Sequence, residues 1–236
     1  GDFITEVDGK KYVNASSISY GASGLAAVWA EENTRESIYS ALRRKEAFAT
    51  TGPRIKVRFF AGYDFNKAMI NNDGLVKHLY ERGHSMGSDV LNTSTKADLE
   101  FFIWAIQDSD SAPLQRLQII KGFVDDGDLK EIVFDVACSD DLKVNQDNYR
   151  CPDNGAMVNI QDCSYDNSVG ASELKTFWKD PTYKKGQRAF YYVRVLENPT
   201  CRWSTWDAIR NNVEPRSDYP TTIQERAWSS PIHLLP

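Results

Sequence analysis

Glu31 and Glu32 are the residues of this chain best placed for chemistry. They follow directly on the apolar run Leu25-Ala26-Ala27-Val28-Trp29-Ala30, which reads as a short buried strand. In parallel α/β barrels, ligands and metals bind at the C-terminal ends of strands. Asn33 and Arg35 stand beside the two carboxylates. Arg35 and Arg54 are candidate cations for those acids or for an anionic ligand, against the plainer reading of a solvated helix-entry loop with surface ion pairs. Trp203 and Trp206, three residues apart in Cys201-Arg-Trp-Ser-Thr-Trp-Asp207, make a candidate sugar-stacking platform. The plainer reading is that they cover the end of a core. Asp125, Asp126 and Asp128 lack the spacing and distal Glu of a calcium loop and read as a tight hairpin turn.

Other chemistries find no support. The three His, at 78, 84 and 233, form neither HxH nor HExxH. GxGxxG, a P-loop and a GxSxG elbow are absent, so neither catalytic residues nor metal ligands nor a cofactor are expected in this chain. Asn14-Ala15-Ser16 and Asn92-Thr93-Ser94 match the glycosylation pattern, which is too common to carry weight.

Cys138, Cys151, Cys163 and Cys201 form no CxxC pair and have no His beside them, which argues against zinc. Four Cys allow three disulfide connectivities. Cys151 and Cys163 bracket a polar, turn-rich segment with little core of its own, so the favoured set is 151–163 with 138–201. Bridged cysteines imply a periplasmic or secreted protein, and reduced thiols a cytosolic one.

The elements that must position these residues follow from pattern. Across 236 residues, 41% hydrophobic and 12% aromatic, a sizeable core can be buried. A net charge of −5 without a basic run disfavours nucleic acid, and the longest apolar stretch is too short for a membrane span. Asp8-Gly9 suggests a hairpin in an otherwise loop-like N-terminal segment. Asn33 or Thr34 can cap a helix whose positive N-terminus favours Glu36, with Ile38, Ala41 and Leu42 at helical spacing and Arg43, Arg44 and Lys45 in its last turn. A buried strand followed at once by a helix is the unit of an α/β layer or barrel.

Composition changes at Gly52-Pro53. Beyond it, about seven hairpin-linked strands argue an antiparallel β-sandwich. Strands are expected at Ile55–Phe59, Leu99–Ile106, Leu114–Phe123, Leu129–Cys138, Glu173–Trp178, Ala189–Leu196 and Glu225–Trp228. Short helices are expected at Leu75–Arg82 and Ser204–Asn211. The expected division is thus 1–52, an N-terminal loop with a strand and helix, and 53–236, the sandwich. The chain begins with Gly and shows no signal peptide, which suggests a processed product or a fragment.

Five blocks resemble one family: GLAAVWAEENTRESIYSALRRKEAFATTGPRIKVRFF at 24–60, MGSDV at 86–90, QIIKGF at 118–123, FYYVRVLENPTCRWSTWDA at 190–208 and TIQERAWSSPI at 222–232. They are similar to the bacterial domain-of-unknown-function family 3604, itself similar to the metal-dependent hydrolases of the PHP superfamily. The resemblance implies the C-terminal part of a longer protein. Residues 25–50 would be the last strand and helix of a PHP-like α/β barrel, followed by the sandwich. The barrel's HxH and DTH-type motifs have no counterpart here, so no ligand role transfers. The parent would hold zinc, manganese or iron and hydrolyse an ester or phosphoester of a small molecule. This chain, lacking the barrel portion supplied in the same or a separate chain, would support the substrate cleft through Glu31, Glu32, Asn33 and Arg35, and would be inactive alone. The alternative is a secreted carbohydrate- or ligand-binding sandwich using Trp203 and Trp206.

Overall fold

Asp-Gly pairs turn the chain where the sequence places them. The computed structural model describes residues 4–13, 18, 20–21, 23–91 and 99–236. In it, β1 (Ile4–Val7) and β2 (Lys10–Val13) pair antiparallel around Asp8 and Gly9, both at positive φ. Left-handed pairs of this kind match the twist of the flanking strands. β3 (Leu25–Val28), α1 (Arg35–Arg43), β4 (Ala47–Thr50) and β5 (Lys56–Gly62) follow. A 3-10 turn at Lys67–Asn71 leads into α2 (Leu75–Arg82), β6 (Gly83–Ser85), β7 (Asp89–Leu91) and β8 (Glu100–Ile106). β9 (Leu114–Asp125) and β10 (Asp128–Cys138) turn about Asp126 and Gly127, again at positive φ. A polar stretch, 139–172, precedes β11 (Glu173–Lys179), β12 (Ala189–Cys201), α3 (Trp203–Arg210), β13 (Thr222–Ser229) and β14 (Ile232–Leu235). The two glycosylation-pattern asparagines, 14 and 92, lie outside the described residues.

The protein is mainly β, with three α-helices among the described residues. The large sheet runs β10-β9-β12-β13-β4-β3, with β14 joined to β12 and β7 to β14. The smaller sheet runs β11-β8-β5-β6. The pairings are antiparallel except β7 with β14. The two sheets share one core in a sandwich-like arrangement. Val57, Phe59 and Ala61 of β5 and Phe101, Ile103 and Ala105 of β8 are fully buried. They meet Leu117 and Ile119 of β9 and Tyr191, Val193 and Val195 of β12. This is the period-2 alternation of strands with one dry face. On the other face of the small sheet, Leu75 and Leu79 of α2 cover Phe60, Phe65 and Phe102.

Residues 25–50 depart from expectation. β3 pairs antiparallel with β4, and β4 with β13. The expected barrel-type unit, a buried strand followed by a helix, is therefore an edge of the large sheet, with α1 linking two antiparallel neighbours. Leu25 is exposed and β3 has no buried residue. A short apolar run reads the same whether it is a barrel strand or an edge strand covered on one face. The large sheet draws its strands from both sides of residues 52–53.

All four Cys are bridged, but in a connectivity other than the favoured one. Cys138 pairs with Cys151 and Cys163 with Cys201, at Cα separations of 5.7 and 5.6 Å. The expected 138–201 bridge fails on sheet order. Cys138 ends β10 and Cys201 ends β12, which flank β9. Two strand spacings, roughly 10 Å, exceed the Cα limit of about 7 Å for a disulfide. The 145–151 segment instead folds back along β10. The Asp135 N–H donates to the Tyr149 carbonyl at 2.9 Å, and the Cys151 N–H donates to the Asp135 carboxylate at 2.7 Å. No helix among the described residues is long and apolar enough to cross a membrane.

Candidate functional site

The chain leaves β3 at Val28, and just beyond it a cleft of about 440 Å³ opens. α1 sets one side. Thr34 caps the helix by accepting the Ser37 N–H at 3.3 Å, as its sequence position suggests. The Ser37 hydroxyl donates to Glu31 at 3.1 Å and accepts the Glu32 N–H at 3.2 Å. At the other end of the helix, Arg44 donates to the Trp29 carbonyl at 3.5 Å, to Glu31 at 3.3 Å and to Glu46 at 3.4 Å. Lys45, at positive φ, turns the chain into β4 and leaves the Glu46 side chain buried.

α2 and β5 supply the rest. The Tyr80 hydroxyl donates to Glu46 in a short contact, and Arg58 donates to the Tyr80 oxygen at 3.1 Å. The Arg58 guanidinium lies 3.6 Å over the Trp29 ring, whose indole N–H donates to the Val57 carbonyl at 2.7 Å. Glu31, Arg44, Glu46, Tyr80 and Arg58 thus form one chain of alternating acceptors and donors.

Burial, reinforced by the hydrogen bond to Glu46, pushes the Tyr80 phenol up to about 12, so it remains a donor. Glu31 is held below the ordinary carboxylate range by its own backbone N–H, by Ser37 and by Arg44. The arrangement positions charge and offers Arg58 and Arg44 to a ligand. Among the described residues, no three His, Cys, Asp or Glu converge as a metal ion requires.

Of the residues singled out from sequence, only Glu31 reaches this network. Glu32, Asn33 and Arg35 are exposed, with no side-chain hydrogen bond or ion pair found among the described residues. Arg54 lies elsewhere, its N–H on Asp108 at 2.7 Å and its guanidinium 4.0 Å from Asp110. Trp203 donates its indole N–H to the Tyr20 carbonyl at 2.9 Å. Trp206 is 37% exposed beneath Arg210. His78 accepts the Asn66 N–H at 3.0 Å.

The family described as Protein of unknown function (DUF3604) matches residues 3–236. The chain belongs to this family. No curated protein and no solved structure matches it. The DUF3604 match takes in the β1–β2 hairpin as well as the blocks from Gly24 onward. Within this DUF3604 chain, sequence reasoning missed Arg44, Glu46, Arg58 and Tyr80 as site residues. Arg44 read as a helix-end cation and Arg58 as the wet face of a strand. Glu46 and Tyr80 lie 34 residues apart, and no local pattern joins them.

Proposed function

We propose that this DUF3604 chain is the C-terminal, sandwich-like region of a PHP-like metal-dependent hydrolase, and that it supports the substrate cleft without catalysing the reaction alone. The observation that carries the reading is an uncovered helix. Of the nine residues of α1 only Ala41 is buried, while Ile38, Tyr39 and Leu42 are 36%, 62% and 54% exposed. Leu25, on the open edge strand β3, is 42% exposed. An exposed apolar helix face, and a strand edge with no pairing partner among the described residues, call for a partner layer. The partner is the barrel portion, in the same chain or a separate one. With it seated there, Glu31 and Arg44 would stand at the join and wall the cleft against a small-molecule ester or phosphoester.

The carboxylates of this cleft do not fit a resident metal, because Glu31 and Glu46 are already engaged by Arg44 and Tyr80. The zinc, manganese or iron belongs to the barrel. Two disulfides suit an oxidising compartment, periplasmic or secreted. Metal analysis with an esterase and phosphatase screen of this chain tests the reading. No turnover is expected, whereas turnover with stoichiometric bound metal would overturn it.

A further inference from the structure

The outer face of the small sheet carries a groove of its own. Register places Arg58 of β5, Trp104 of β8 and Lys175 of β11 in one cross-strand row, with Lys56, Ile106 and Glu173 in the next. Residues two apart share a face, so both rows continue the Phe60-Phe102-Phe177 row. Leu75 and Leu79 of α2 cover that phenylalanine row. Beyond α2, a pocket of about 230 Å³ lies between Trp29 and Trp104, completed by Lys56, Arg58, Val76 and Ile106. It holds two indoles, two cations and no acid. It shares Trp29 and Arg58 with the cleft at Glu31. It shares Trp104 and Val76 with a hollow of about 360 Å³ that includes Asn71, Asn72, Asp73 and Lys175.

We propose that this groove binds an acidic oligosaccharide of the uronate type. A sugar ring stacks on the indole of Trp104, because the Arg58 guanidinium already lies over the Trp29 ring, and ring carboxylates meet Lys56 and Arg58, with Lys175, itself 3.5 Å from Glu173, at the rim. Aromatic faces take the apolar side of a ring, and cations beside them give the site its charge selectivity. Both ends of the groove carry carboxylates, Glu31 and Asp73. These accept sugar hydroxyls and repel a polyphosphate backbone, in a chain already at net −5. The pocket at Trp104 includes no residue of α1, while its Glu31 end borders the proposed barrel seat.

Calorimetric titration of the whole chain tests the proposal, with tetragalacturonate as the probe, cellotetraose as the neutral control and oligothymidylate as the nucleic-acid control. Tetragalacturonate should bind, quench tryptophan fluorescence and bind less tightly as salt rises. Cellotetraose should bind far more weakly. Lys56→Ala with Lys175→Ala alters two side chains on the rim of the groove, and a native near-ultraviolet spectrum would show the fold intact. This variant should weaken tetragalacturonate binding about tenfold, and Trp104→Phe should reduce the quenching. Absence of tetragalacturonate binding, an affinity unchanged by the lysine substitutions, or tighter binding of oligothymidylate would overturn the proposal.

Discussion

Lys121 lies in the core between the sheets with all three of its donors used. Its ammonium donates to Asp180 at 2.6 Å and to the Thr182 carbonyl and hydroxyl at 3.0 Å each. The Tyr191 hydroxyl donates to the same carboxylate at 2.7 Å, and burial pushes that phenol far up. Removing one partner of a buried pair leaves the other charge uncompensated. Lys121→Met should therefore cost about 3–5 kcal/mol in urea unfolding. Combined with Asp180→Asn, the loss should be well short of the sum, and an additive pair would contradict the network. Glu197 behaves differently. It is fully buried, with one carboxyl oxygen unpartnered among the described residues and the other accepting the Ser111 hydroxyl at 2.6 Å. Burial, helped by Glu225 and Asp108, pushes it up to about 8. The folded state thus holds a proton that the unfolded chain releases near the ordinary value of 4.5. The resulting stability is fully present below that value and is lost as pH rises through about 8. Stability should fall by about 1.4 kcal/mol for each pH unit across the window. Glu197→Gln should flatten the profile, and an unchanged slope would assign it to another group.

Gly87 ties the β6–β7 turn to the end of α1. It sits at positive φ, and a Cβ there would fall 2.4 Å from the Lys45 carbonyl oxygen. Gly87→Ala should cost at least about 1–3 kcal/mol from backbone conformation alone and loosen the cleft formed by Glu46, Tyr80 and Ser85. A melting temperature equal to the parent's would show that the turn is free to move. The same elements show what pattern can convey. β9 and β10 are legible because alternation and an Asp-Gly turn are local signals, and α1 because a capping residue at 33 or 34, Glu36 and the basic last turn mark its two ends. β6 and β7 are three residues long, below the four at which period 2 can be recognised, and β14, at four, sits at that limit. β3 was seen as a strand but misplaced, since LAAV does not encode which neighbours it pairs with. Glu31 was found because it directly follows an apolar run. Glu46 and Tyr80 become a site only through the packing of α2 against β5.

Across the whole molecule, the two disulfides hold the polar 139–172 stretch against the ends of β10 and β12. Their sequence separations are 13 and 38, and chain entropy assigns each about 3–4 kcal/mol. Reduction should lower the thermal midpoint markedly and open that stretch to proteolysis. A midpoint insensitive to reductant would mean the sheets alone hold it. The uncovered face of α1 and the open edge of β3 bear on the larger architecture. Amide hydrogen exchange over Leu25–Val28 and Arg35–Arg43, read in this chain alone and in the presence of its barrel portion, tests that architecture most directly. The proposed seating predicts fast exchange alone and strong slowing once the barrel portion is added. Equal exchange in both samples would contradict it.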